Sequence, residues 1–192
     1  MKQIKLIVGL GNPGIKYAQT RHNVGFKFID ELCDKYNFTL KDSKKFNGQA
    51  AKVKIENHEI WLLKPETYMN HSGRAVASLA NFYKIDVEEI LVIYDELDLP
   101  AGIAKLKKGG GHGGHNGLRD IIALTGSNDF YRIRLGIDHP GHKSKVVSWV
   151  LNRASQDDEI SIESAITNSL SILEDILDGK LEKAMKDLHT KK

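Results

Sequence analysis

Six short runs of β-branched and aliphatic residues punctuate this chain, at Ile4 to Leu10, Ala50 to Ile55, Ile60 to Lys64, Ile90 to Tyr94, Ile103 to Leu106 and Tyr131 to Gly136. Segments of helical period fill much of the space between them. Val24 to Tyr36 sets Phe28, Ile29, Leu32 and Tyr36 on one face, Gly73 to Tyr83 does the same with Val76, Leu79, Ala80 and Tyr83, and Leu118 to Thr125 is a shorter third. Strands alternating with helices predict an α/β fold, a single-domain α/β/α sandwich with a helix layer on each face of a twisted central sheet. The close pair Ala50 to Ile55 and Ile60 to Lys64, joined by Glu56-Asn57-His58-Glu59, reads as a hairpin, so the sheet should be mixed.

Residues 155–192 read as a C-terminal helical segment of the same domain. Ser155 with Asp157 and Asp158 has the form of an N-cap and acidic first turn, and Ile160, Ile162, Ile166, Leu170, Leu173, Ile176 and Leu177 supply an apolar stripe. Asp178-Gly179 should stop that helix, and Leu181, Ala184, Met185 and Leu188 make a last short one. A chain of 192 residues can bury a full core without staples, and a single cysteine, Cys33, cannot form an internal disulfide. Cys33 lies in a helix-like pattern and is expected in the core. No apolar run approaches the roughly 20 residues of a membrane span, and the N-terminus has no signal-peptide pattern, so a cytoplasmic setting is the expectation.

The first strand runs directly into Gly9-Leu-Gly-Asn-Pro-Gly14. Formally this is the dinucleotide fingerprint G-x-G-x-x-G, which needs backbone donors and an immediate helix. Pro13 removes a donor, and Ile15 to Asn23 has no apolar face at helical spacing. The loop reads better as one that presents the Asn12 amide and leads to His22. Three further segments place reactive side chains where loops should follow strands, the position at which open α/β sheets bind ligands.

In Pro65 to Gly73, Asn70 could hold a peptide-like group beside Met69, or Asn70 or Ser72 could simply cap the next helix. In Tyr94 to Pro100, the carboxylates Asp95, Glu96 and Asp98 suit either Mg²⁺ or the orientation of a histidine, with Asp95 nearest the strand end. In Lys105 to Leu118, glycines surround His112 and lead to His115 and Asn116. The H-x-x-H spacing lacks the helical geometry of a zincin, and one cysteine cannot complete a structural zinc site, so no metal or cofactor is expected. With no G-x-S-x-G elbow, water is the expected nucleophile, and three asparagines point to an acyl substrate whose carbonyls need donors.

Charge locates a partner. Between Ala101 and Arg153 nine basic residues face three acidic ones, although the whole chain carries only +3; after Arg153 the balance reverses, with nine acidic against five basic. A regional basic excess beside glycine-rich loops suits a polyanion.

Taken in order, Gly9-Leu-Gly-Asn-Pro-Gly14 with Tyr17 and Thr20-Arg-His-Asn23, Thr67-Tyr-Met-Asn-His-Ser-Gly73, Tyr94-Asp-Glu-Leu-Asp-Leu-Pro100, Gly109 to Leu118, and Arg134-Leu-Gly-Ile137 with His139-Pro140 resemble the bacterial peptidyl-tRNA hydrolases over about three quarters of the chain. The resemblance implies hydrolysis of the ester between a peptide and the terminal ribose of tRNA, with no cofactor. By that similarity His22 is the general base and Asp95 orients it, while Asn12, Asn70 and Asn116 hold the peptide and scissile carbonyl. Tyr17, Tyr68, Met69 and His115 line the cleft, and Lys105 and Arg134 clamp a tRNA phosphate. Asp138 departs from the family pattern, where glycine is usual. A monomer is expected, since the cleft must admit a large RNA. The competing readings are a non-catalytic RNA-binding protein on the same fold and a metal-dependent hydrolase built on Asp95, Asp98, His112 and His115.

Overall fold

The fold was analysed in a computed structural model, which describes residues 2–191. Its seven described strands form one sheet of order β2-β3-β4-β1-β5-β7-β6. The strands are β1 (Leu6–Gly9), β2 (Lys41–Ser43), β3 (Gly48–Ile55), β4 (His58–Pro65), β5 (Ile90–Glu96), β6 (Ala104–Lys108) and β7 (Tyr131–Gly136). β4, β1, β5 and β7 run parallel, while β2, β3 and β6 pair antiparallel with their neighbours, so the sheet is mixed as expected.

Strand parity sorts the core into two layers. Ile7, Leu91 and Ile93 face α1 (Val24–Tyr36) and the tail helices α5 (Gln156–Ser171) and α6 (Leu173–Leu177). Leu6, Val8, Ile90 and Val92 face α2 (Ser72–Phe82) and α3 (Asn116–Thr125). Two buried layers about one sheet are the α/β/α sandwich. Both neighbours of β1 are parallel to it, one reached through the β3–β4 hairpin and the other through α2, so the chain's winding reverses at β1. That reversal opens a crevice beyond the carboxyl ends of β4, β1 and β5.

Several local readings need correction. The hairpin turn is only Glu56-Asn57, because His58 already pairs with Ile55; Glu56 takes the bend at φ 53°. The single long tail helix is two, α5 and α6, divided at Ile172. Near the division Ser169 and Ser171 donate their hydroxyls to the carbonyls of Ala165 and Asn168, and such bonds compete with the helical ladder. Ile160 is not part of the stripe: it lies two residues before Ile162, about 200° round a helix, and is 59% exposed. Cys33 packs against the core but stays half-buried. Tyr83, at the end of α2, is 41% exposed and stacks on Trp61 at 4.6 Å. Ser155 does cap α5 through Asp158 N–H, and α7 (Leu181–His189) closes the chain. Missed altogether were β2 and the five-residue α4 (Val146–Val150), both too short to show a period. No described helix is long and apolar enough to cross a membrane.

Candidate active site

Two close backbone approaches bring the site together. Gly25, in the first turn of α1, has Ile93 O and Leu10 N so near that a Cβ there would stand 2.5 Å from each. Only glycine lets α1 begin against the ends of β1 and β5. The 3-10 turn Arg21–Asn23 that precedes it therefore sits over those strand ends. Asp95 shares the strand parity of Leu91 and Ile93 and so points to the α1 side, where His22 waits.

His22 Nδ1 lies 2.7 Å from Asp95 Oδ2. A carboxylate only accepts, so Nδ1 carries the proton and Nε2 is the basic atom, with no protein partner among the described residues. His115 approaches the other side of the carboxylate, with Nε2 at 2.8 Å from Oδ1. Its Nδ1 accepts from the backbone N–H groups of Gly117 and Leu118, at 3.1 and 3.3 Å, and so caps α3. With Nδ1 accepting from the backbone, the His115 proton lies on Nε2, the atom that donates to Asp95. The edge of Tyr94 rests on the same ring, centroids 5.2 Å apart.

Asp95 is buried, which by itself opposes its charge, but its two histidine partners outweigh that and hold the carboxyl well below the usual carboxylate range. Burial likewise opposes the His22 imidazolium. The Asp95 charge and hydrogen bond prevail, and the His22 pKa is raised. The donor atoms of His22, Asp95 and His115 lie within 4.8 Å of one another, the spacing of a candidate metal cluster. Both carboxylate oxygens, both His115 nitrogens and His22 Nδ1 are already committed, so the group offers a cation one free nitrogen.

Asn12 is fixed on every side. Its backbone N–H and carbonyl bond the Asn23 side chain at 2.8 and 2.9 Å, and its Oδ1 accepts the Met69 N–H at 2.6 Å. Since the Met69 amide must donate, the Asn12 carboxamide orientation is determined and its Nδ2 is left to donate. Asn23 went unnoticed as a positioning residue because nothing in the spelling Arg-His-Asn separates an amide that holds substrate from one that holds another loop.

A cleft of about 310 Å³ gathers Asn12, Tyr17, His22, Tyr68, Met69, Asn70, Asp95, His115 and Asn116, every cleft residue expected from sequence. Asn70 and Asn116 are exposed, and Asn70 does not cap α2, which starts without any side-chain cap; Ser72 Oγ instead donates to Met69 O. The opposite wall is Val146, Val147 and Val150 of α4 with Leu151, none of them anticipated. Arg21 holds that wall: its guanidinium lies 3.4 Å from the Trp149 ring centroid and donates to Trp149 O at 3.0 Å.

Lys105 and Arg134 stand apart from the cleft lining, directly opposite each other on β6 and β7, with Arg134 Nε 2.9 Å from Glu96 Oε1. Beneath the glycine loop, the buried Arg132 guanidinium donates to the carbonyls of Gly110, Gly111 and Asn128 and, among the described residues, makes no ion pair. Asp138 sits at φ 66°, the left-handed region that suits glycine, and its carboxylate accepts the His139 N–H at 2.8 Å.

The family model described as peptidyl-tRNA hydrolase matches residues 6–192. The chain belongs to the peptidyl-tRNA hydrolase family. Among its relatives in that family, the peptidyl-tRNA hydrolase of Neisseria meningitidis serogroup C is 55% identical over 188 residues, covering 98% of each chain. That of Coxiella burnetii is 53% identical over 187 residues, covering 97% of this chain and 98% of the relative. The crystal structure of peptidyl-tRNA hydrolase from Acinetobacter baumannii superposes with a TM-score of 0.97 at 47% identity, over 100% of this chain and 97% of that one. The α/β/α architecture is thus the architecture of this family.

Proposed function

We propose that this chain hydrolyses the ester joining a peptide to the terminal ribose of tRNA, with His22 as general base. The observation that carries the reading is the commitment of His22 Nδ1 to Asp95 at 2.7 Å, which leaves Nε2 free in a cleft beside a carboxamide of determined orientation. Water gives a proton to Nε2 as its oxygen adds to the scissile carbonyl carbon. The oxygen that becomes negative is met by Asn12 Nδ2, a donor already in place before the substrate arrives. Collapse breaks the bond to the ribose oxygen, and the imidazolium returns its proton there. Asp95 keeps the ring in the tautomer this cycle needs.

Asn70 and Asn116 pair with the peptide's amide groups, and Tyr17, Tyr68 and Met69 pack around the aminoacyl residue. An unacylated aminoacyl ester has no peptide carbonyl for those amides, and leaving them unpaired disfavours it. Lys105 and Arg134 take a tRNA phosphate. The test is hydrolysis of N-acetyl-aminoacyl-tRNA beside the same tRNA bearing a free amino group, in EDTA, by wild type and His22→Ala. Selective cleavage of the acetylated ester, lost in the variant, is expected. Binding of tRNA without cleavage would replace this reading with a non-catalytic one, and cleavage abolished by EDTA would replace it with a metal-dependent one.

A further inference from the structure

The loop that delivers His115 to Asp95 has almost no side chains by which the fold can hold it. Five of the seven residues from Gly109 to His115 are glycine, and Gly109, Gly110, Gly113 and Gly114 sit at positive φ. Glycine leaves such a segment many conformations. Its backbone carbonyls are the handles that remain, and carbonyls need donors.

Arg132 supplies them. Its register partner on β5 is Val92, so the side chain lies on the α2 and α3 side of the sheet. There it is 1% exposed. Nη1 donates to Gly111 O at 2.7 Å, while Nη2 donates to Gly110 O and, at 3.2 Å, to Asn128 O. Nε is buried without a partner, and the guanidinium carbon lies 4.5 Å from the Phe130 ring centroid. A buried charge with no counter-ion is unfavourable, so a residue that merely filled this part of the core would be apolar. A planar fork of donors, by contrast, spans two successive carbonyls.

We propose that Arg132 is a positioning residue of the reaction, fixing the glycine loop and, through it, the hydrogen bond from His115 to Asp95; this rests on the function proposed above. The link is short. Gly114 N–H donates to His112 Nδ1 and His115 N–H to His112 O, both at 2.9 Å, so residues 112–115 form a closed turn attached directly to Gly111. His115 Nε2 then reaches Asp95 Oδ1 at 2.8 Å. Without the fork the carbonyls of Gly110 and Gly111 lose their donors, the turn shifts, and Asp95 loses one of the two partners that set it against His22. Lysine at this position keeps the charge but is a single point donor, so it does not replace the fork.

The experiment measures kcat and KM on N-acetyl-aminoacyl-tRNA for wild type, Arg132→Lys, Arg132→Ala, His115→Ala and the double variant His115→Ala/Arg132→Lys. Rates are expressed per tRNA-binding site, so unfolded protein does not count. Arg132→Lys should lower kcat by about a hundredfold, the effect of a displacement of about 1 Å, with KM held within about twofold because Lys105 and Arg134 keep their places. With His115 already replaced, the same change should lower kcat by less than about threefold, since the route is cut. Ethylguanidinium added to Arg132→Ala should raise kcat by about tenfold, and ethylammonium should not. A wild-type kcat in Arg132→Lys, losses that multiply in the double variant, or equal rescue by the two cations overturns the proposal. Loss of tRNA binding in both Arg132 variants also overturns it, by making the residue a requirement of the fold alone. Failure of wild type to cleave the ester overturns instead the reading on which it rests.

Discussion

His115 uses both ring nitrogens on the protein, one to cap α3 and one to hold Asp95, and this ties the stability of a helix to the basicity of His22. Replacing His115 with alanine removes the cap, at a cost of about 1 kcal/mol that a melting curve would register. It also removes a donor from Asp95, so the carboxylate favours the His22 imidazolium more strongly, and the acid limb of the pH–rate profile should move up. Asp95→Asn acts in the opposite direction. In the proposed reaction His22 must be neutral to work, and its pKa stands above the ordinary value of 6.5 because Asp95 overcomes the effect of burial. Without that charge the midpoint should fall to the ordinary value or below, with a loss of rate as the tautomer is released. A profile whose midpoint is unmoved by Asp95→Asn would exclude the pairing as the source of the shift.

At the scale of elements, the edge strand β6 is closed by the tail: His189, in α7, accepts the Leu106 N–H through Nε2 at 3.0 Å. Burial, assisted by the Lys105 charge, lowers the His189 pKa. Above 6.5 the residue is neutral whether docked or not; below it the undocked form gains a proton that the docked form resists, so docking weakens as the pH falls. Protection of the Leu106 amide from hydrogen exchange, corrected for intrinsic rate, should drop between about pH 7 and pH 5 in the wild type. His189→Gln, whose amide oxygen can accept the same bond without titrating, should hold it level. The division of the tail at Ile172 and the short α4 show the limit of periodicity at this scale, since neither side-chain competition for carbonyls nor a five-residue helix leaves a repeat in the sequence.

Across the whole molecule, charge is arranged along the sheet order. Within the basic stretch from Ala101 to Arg153, Lys105, Lys107 and Lys108 on β6 and Arg134 on β7 gather at the β6 end of the sheet order. Replacing Lys105 or Arg134 with alanine should weaken tRNA binding and lower the slope of log affinity against log salt by about one each. Arg134→Ala should cost more, because it leaves Glu96 uncompensated at the same place. Binding measured across a salt series distinguishes the two; an unchanged slope in both would remove them from the phosphate site.

Residue types and local spacing sufficed for six of the seven described strands, the main helices and the candidates Asn12, His22, Met69, Asn70, Asp95, His115 and Asn116, because alternation, helical period and loop chemistry are properties of neighbours in the chain; Tyr17 and Tyr68 followed from the family resemblance, and β2 and the α4 wall of the cleft left no such signal. Tyr131 to Gly136 and Val24 to Tyr36 came out with their observed bounds for that reason. What only the tertiary structure decided is how groups far apart in the chain constrain one another. His22, Asp95 and His115 lie in the turn before α1, at the end of β5 and just before α3, but the imidazole tautomers follow from which groups surround one carboxylate. The sequence offers three asparagines of like chemistry, and packing makes Asn12 the buried and tightly held one, since its acceptor is occupied by Met69 N–H at 2.6 Å and its backbone by Asn23, whereas the exposed Asn116 carboxamide accepts only from Arg119 at 3.3 Å. Orientation is a matter of partners in space, and a one-dimensional pattern does not contain them.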